Sequence, residues 1–188
     1  MDRDPLIASI LEAPILMKGD YPYLIHPLSD GVPRIEPELL DATLDRIEAV
    51  IDWTNVDLLL GIEAMGLPLS VPMALRRRIP VVIARKRPYG LEGEVCIDQT
   101  TGYGGSELYL NDLGDGERVL IIDDILSTGG TLRAVIEGVR RAGATVEHAV
   151  VLFDKSNDIE AISKELNVRI TPLVSLDVDT SGVRVRNR

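Results

Sequence analysis

Apolar and polar positions divide the chain into two kinds of segment. Continuous apolar runs rich in β-branched residues recur as "VDLLLGI" (56 to 62), "IPVVIAR" (79 to 85), "RVLIIDD" (118 to 124) and "VEHAVVLF" (146 to 153). A strand with one wet face alternates residue by residue. Unbroken apolarity instead marks strands covered on both faces, as in a parallel sheet between helical layers. Between these runs the period becomes helical. "PELLDATLDRIEAVI" has Pro37 in a favoured first-turn position and Leu40, Leu44, Ile47 and Ile51 at helical spacing. Leu132, Val135, Ile136 and Val139 line one face of another helix, which Gly143 is placed to end in a left-handed cap. "NDIEAISKELN" predicts a short helix capped by Asn157, followed by strand-like "VRITPLVSLDVD". The order predicts an α/β fold with a central, mostly parallel sheet flanked by helices.

Two segments break the alternation. Residues 18 to 36, "KGDYPYLIHPLSDGVPRIE", are too polar for a sheet core and too aromatic for a linker. They are expected to fold over something, as part of a small N-terminal hood spanning residues 1 to 36. Residues 94 to 110, "EVCIDQTTGYGGSELYL", read as two strand halves joined by a Gly- and Thr-rich tip, the shape of a flexible hairpin lid. No repeat, low-complexity tract or linker interrupts the 188 residues, so a single domain is expected.

Composition narrows the classes. Hydrophobic content of 45% with 27% charged residues is ordinary for a soluble globular protein. No apolar run approaches the roughly 18 residues of a membrane span, and the N-terminus carries no leader pattern, so a cytoplasmic protein with no membrane partner is expected. Cys96 is the single cysteine, which excludes an internal disulfide and any multi-cysteine metal site. Thirty acids against 20 bases give a formal charge of −10, which argues against a nucleic-acid surface. Any bound anion must therefore be held locally.

The stretch "VLIIDDILSTGGTLRAV" (119 to 135) offers such a place. Ligands of open parallel sheets bind at the carboxyl ends of strands, where Asp123 and Asp124 fall. As neighbours on a strand they are expected to point to opposite sides, which reduces repulsion and leaves a desolvation cost. Carboxylates are acceptors, so their natural partners are vicinal sugar hydroxyls, a bound cation, or both. The following turn is the complement: Ser127, Thr128 and Thr131 bring hydroxyl donors, Gly129 and Gly130 permit tight backbone, and a helix begins at about Thr131. Acceptors for sugar hydroxyls a few residues before donors for a phosphate read as a grip on a ribose 5-phosphate.

"VLIIDDILSTGGT" resembles the phosphoribosyl pyrophosphate (PRPP) signature of type I phosphoribosyltransferases over all thirteen positions. The resemblance implies that fold, ribose-hydroxyl roles for Asp123 and Asp124, and 5-phosphate contacts from Ser127, Thr128, Gly129, Gly130 and Thr131. It also implies magnesium, carried by PRPP with Asp123 and Asp124 as candidate contacts and not by a protein-only ligand set. The strand "VDLLLGI" ends in Glu63, Ala64, Met65 and Gly66, which looks like the pyrophosphate loop of the adenine phosphoribosyltransferase branch. Met65 stands where that branch often has arginine. Six bases crowd residues 76 to 87. Arg76, Arg77 and Arg78 end a helix, where cations favour the dipole and face water. Arg85, Lys86 and Arg87 follow a strand at its binding edge, and the family's basic pair falls on Arg85 and Lys86. Tyr103 sits at the lid tip, where the segment resembles the mobile catalytic loop of adenine-type enzymes. Gly102 replaces the acid of that pattern, so no general acid is carried over.

Segment order and length, from "KGDYPY" to "TPLVSL", are similar to archaeal hypoxanthine/guanine phosphoribosyltransferases. That implies purine salvage: a 6-oxopurine and PRPP give a nucleoside 5′-monophosphate and pyrophosphate, by a homodimer. Tyr23, Ile25 and Leu126, with Tyr21, are the candidates to hold the flat base. His26 and His148 are assigned structural roles. Adenine or xanthine as the base, and a non-enzymatic sensor of PRPP or purine, remain alternatives. The sensor needs a DNA-binding module, for which the acidic chain has no room.

Overall fold

The computed structural model describes residues 4–101 and 104–186. At the N-terminus Asp4 accepts from the N–H groups of Leu6 and Ile7 and caps α1 (Pro5–Leu11). A small hairpin, β1 (Ile15–Lys18) with β2 (Tyr21–Leu24), and a single-turn helix, α2 (Pro27–Asp30), follow. The rest alternates: α3 (Pro37–Ala49), β3 (Leu58–Ile62), α4 (Leu67–Arg77), β4 (Val81–Ala84), the hairpin β5 (Val95–Thr101) and β6 (Gly104–Leu110), β7 (Arg118–Leu126), α5 (Gly130–Arg141), β8 (Thr145–Asp154), α6 (Ile159–Leu166), β9 (Arg169–Asp179) and β10 (Gly182–Val185).

The central sheet has the order β10-β9-β8-β7-β3-β4. Every pairing from β4 to β9 is parallel, and β10 adds an antiparallel edge. Chain order reverses between β3 and β7: β3 leads through α4 outward to β4, whereas β7 leads through α5 the other way to β8. At such a reversal the two following loops diverge and leave a crevice at the carboxyl ends of the strands.

Successive side chains on each strand enter different layers. Leu58, Leu60, Ile62, Val119 and Ile121 pack with Leu132, Val135, Ile136 and Val139 of α5 and with α6. Leu59, Leu120 and Ile122 pack with α1, α3 and α4, through Leu6, Ile10, Leu44, Ile47, Leu69 and Met73. The N-terminal segment is thus part of a core layer as well as a cover. The hairpin base is docked too, because Ile97, Leu108 and Leu110 belong to the α5-side core. The α6 cap is Asp158, whose carboxylate accepts from Ala161 N at 2.9 Å, one residue beyond the expected Asn157. Gly143 has the expected left-handed φ, +87°. No helix among the described residues is long and apolar enough to cross a membrane.

The edge strand β10 fixes the end of β8. Asp154 is fully buried, and its carboxylate accepts from Ser156 N (2.8 Å), Ser175 Oγ (3.0 Å) and Arg186 Nη2 (3.2 Å). Arg186 also donates to the carbonyls of Asp154 and Ser156 at 2.9 Å each. This closes the loop after β8 against the sheet edge. Arg186→Met is expected to lower stability by about 1–3 kcal/mol, the cost of leaving buried acceptors unmade. Urea unfolding reads it as a lower midpoint at unchanged slope; an unchanged midpoint contradicts the tie.

Candidate active site

A cavity of about 320 Å³ opens at the reversal point, lined by Ile62, Glu63, Ala64, Met65, Lys86, Leu108, Asp123, Asp124, Ile125 and Thr131. Three strand ends and the start of α5 therefore converge on it. Beside it a recess of about 90 Å³ is lined by Asp123 and the whole turn Ser127, Thr128, Gly129, Gly130 and Thr131. Gly129 has φ +78° and precedes the first turn of α5, so backbone N–H groups and the positive end of the helix dipole face this recess.

Ile121 and Ile122 enter opposite layers, and the acids that follow them share the rim of one cavity: Asp123 also lines the recess at the start of α5, whereas Asp124 stands within electrostatic reach of Asp30 and Tyr23 of the hood. Burial pushes Asp123 well above the usual carboxylate range, and the neighbouring Asp124 charge adds to the rise. Burial also raises Asp124. Two desolvated carboxyls at one cavity can take hydroxyl donors or a cation.

The loop Glu63–Gly66 is held against β7. A β-carbon at Gly66 would fall 2.6 Å from Ile122 O and 2.7 Å from Ile62 N, so only glycine lets the turn close here. The Glu63 carboxylate accepts from Lys86 N at 3.0 Å and pairs with Arg85 Nε at 3.0 Å. Glu63 is thereby a brace between two loops as well as a member of one. The Lys86 side chain lines the cavity; Arg85 stands behind it, with Arg85 and Arg87 both about 6 Å from the Tyr89 ring. Arg76 and Arg77 are occupied elsewhere: Arg76 pairs with Asp41 and Asp45, while Arg77 pairs with Glu48 and stacks on Trp53.

The hood residues have mixed placements. Tyr23 donates its hydroxyl to Asp30 at 2.8 Å, and that bond, with burial, pushes its pKa up to about 12. The charge of Asp124 contributes to the same rise, so Tyr23 and Asp30 stand within electrostatic reach of the acid pair. Met65 reaches toward the hood, where a β-carbon at Gly31 would lie 3.9 Å from its Cε. Leu126 is 2% exposed and lines the small recess, whereas Ile25 lines none of the described cavities. His26 is buried and neutral: Nδ1 accepts from Leu28 N, Nε2 lies 2.9 Å from Ser9 Oγ, and burial lowers its pKa to about 4. His148 is lowered to about 4 by burial as well, beside Thr171. Tyr103 lies outside the described residues.

Sequence reasoning missed Lys155. It follows β8 at the same edge of the sheet and lines a third cavity, about 240 Å³, with Tyr21, Pro22 and Ser127. Its ammonium donates to Tyr21 Oη at 2.7 Å. One lysine after an apolar run carries no spacing signal; its place at a carboxyl strand end is the clue.

A model of the phosphoribosyl transferase domain family matches residues 33–185. The chain is 41% identical over 177 residues to a protein of Aciduliprofundum boonei named hypoxanthine/guanine phosphoribosyltransferase, covering 94% of this chain and 96% of that one. It is 45% identical over 185 residues to HGPRTase-like protein 1 of Haloquadratum walsbyi, covering 95% and 98%. Adenine phosphoribosyltransferase of Rhodothermus marinus superposes with a TM-score of 0.73 at 22% identity, over 92% of this chain and 98% of that one, a likeness of fold. With the PRPP signature lying on the crevice of a type I phosphoribosyltransferase fold, the chain belongs to the phosphoribosyl transferase domain family.

Proposed function

We propose that this protein transfers the phosphoribosyl group of PRPP to a 6-oxopurine, hypoxanthine or guanine, releasing pyrophosphate. The observation that carries the reading is the single crevice shared by the acid pair, the loop after β3, Lys86 and Thr131. Relatives at 41–46% identity that bear the name hypoxanthine/guanine phosphoribosyltransferase support the choice of base.

Asp123 and Asp124 accept from the ribose hydroxyls. Ser127 to Thr131 hold the 5-phosphate through hydroxyls and backbone N–H groups at the start of α5. The N–H groups of Ala64 and Met65, with Lys86, face the pyrophosphate, while the N–H groups of Glu63 and Gly66 are held by Ala84 O and Ile62 O and Arg85 steadies the loop through Glu63. The acid pair fits a divalent cation, since its carboxyls are desolvated together at one cavity. Magnesium entering with PRPP supplies neutralisation of charge on the leaving oxygens. As the C1–oxygen bond breaks, positive charge grows on the ribose ring and negative charge on pyrophosphate; Lys86 and the loop amides stabilise the latter. The purine nitrogen then takes the vacated bond to C1 and its N–H proton leaves with the pyrophosphate, so the protein's share is positioning and electrostatics.

The hood and the hairpin of β5 and β6 cover the reacting centre and exclude water. Tyr23 and Leu126 bound the base on its apolar side, Ile25 packing away from the described cavities, and Lys155 beside Ser127 donates to a 6-oxo oxygen. An amino group at that position would meet a second donor, so the pair disfavours adenine.

Pyrophosphate release with PRPP, magnesium and a panel of bases tests this directly. Hypoxanthine and guanine are expected to be turned over, and Lys155→Met to raise their KM by about tenfold, the worth of one charged hydrogen bond. PRPP binding without turnover of any base supports instead a non-enzymatic sensor; turnover of adenine or xanthine alone overturns the choice of base.

The raised pKa values of the acid pair give a pH signature. A carboxyl whose folded pKa lies above its unfolded value of about 3.9 costs the folded state stability once it ionises. The ligand-free protein therefore loses stability as pH rises from about 4 through the raised values. Asp123→Asn removes that cost. Its Tm at pH 7 is expected to rise by about 2 °C or more, what roughly 1 kcal/mol gives in a chain of this size. The gain should shrink toward pH 4, while turnover falls at least about a hundredfold with the lost charged contacts. A lower Tm at pH 7 contradicts the assignment.

A further inference from the structure

The 5-phosphate cradle is held from behind by a side chain that does not line it. Arg133, on the first turn of α5, donates from Nη1 to the carbonyl of Thr128 at 2.6 Å. Its Nε and Nη2 make a bidentate pair with Glu165 of α6, at 2.9 and 2.8 Å. Arg133 lines a larger cavity of about 640 Å³ with Thr128, Gly130, Glu137 and Arg141, and does not line the recess of about 90 Å³.

The peptide bond between Thr128 and Gly129 is not among the cis bonds of the chain. In a planar trans peptide the carbonyl and the following N–H point in opposite directions. A Thr128 carbonyl drawn toward Arg133 therefore turns the Gly129 N–H the other way, into the recess that Gly129 itself lines. We propose that Arg133, braced by Glu165, is a positioning residue that aims the Gly129 N–H at the 5-phosphate.

Gly129 supports the same reading. Its φ of +78° favours glycine, and a β-carbon there would lie 2.9 Å from Arg133 Nη1, so a larger residue would displace the strap. The brace also has a reason. An arginine on a helix surface samples many rotamers, and a bidentate carboxylate fixes its planar fork so that one N–H remains for the carbonyl. As a mere surface ion pair, Arg133 and Glu165 would be worth about 0–1 kcal/mol of stability and nothing to ligand binding.

The inference rests on the reading of the turn as a phosphate cradle, and its test separates the two. Ribose 5-phosphate and pyrophosphate are titrated calorimetrically into the unsubstituted protein and into Arg133→Met, Arg133→Lys and Glu165→Gln, alongside KM for PRPP and kcat. For Arg133→Met, ribose 5-phosphate affinity and PRPP KM are expected to worsen about ten- to a hundredfold, the worth of one charged hydrogen bond. Pyrophosphate affinity and kcat should change less than about threefold, within ordinary context dependence. Arg133→Lys, which still offers a donor to Thr128 O, should regain most of the loss, and Glu165→Gln should fall between. Equal ribose 5-phosphate binding by Arg133→Met and the unsubstituted protein overturns the strap. Equal weakening of both ligands also overturns it, as global loosening. Failure of the unsubstituted protein to bind ribose 5-phosphate overturns the cradle itself.

Discussion

Between β3 and β7 the sheet reverses its order of travel, and the functional residues depend on the crevice this leaves. The loops after β3 and β7 diverge toward α4 and α5, so neither helix fills the space above the strand ends. Into that space β7 delivers two adjacent carboxyls, whose burial raises both. The raised acids therefore stand at the place where the topology opens the sheet.

Around these acids the remaining parts are arranged by sign. Donors lie on both flanks: Ser127 to Thr131 at the start of α5, and the amides of Ala64 and Met65 with Lys86 on the other side. Acceptors occupy the middle. A phosphate, a sugar and a pyrophosphate present the opposite order of charge along their length. Glu63 braces from within the cavity, and Arg186 braces the loop after β8 from outside it. A net charge of −10 makes such local accounting necessary, because the mean field of the surface repels the anion that the cradle attracts.

The parallel sheet, α3, α5 and the acid pair were legible because each is written in one contiguous stretch with a strong period or motif. The N-terminal helix α1, with seven residues, and the four-residue β10 were not, since elements so short carry little periodicity. The cap of α6 moved from Asn157 to Asp158 because either residue can serve and only the chain path into the helix chooses. Lys155 and Arg133 escaped notice for a common reason. Each acts through a neighbour distant in sequence, Tyr21 and Glu165 respectively, so the fold alone brings the pair together.

The central claim is that the buried acid pair is completed by the sugar and cation of one ligand. Calorimetric titration of the protein with PRPP and magnesium at about pH 5, just above the ordinary carboxylate range, in two buffers of different ionisation enthalpy, tests it most directly. One PRPP bound per chain, with protons released as Asp123 and Asp124 ionise, is the predicted result. Absence of binding, or binding without proton release that Asp123→Asn leaves undiminished, would contradict it.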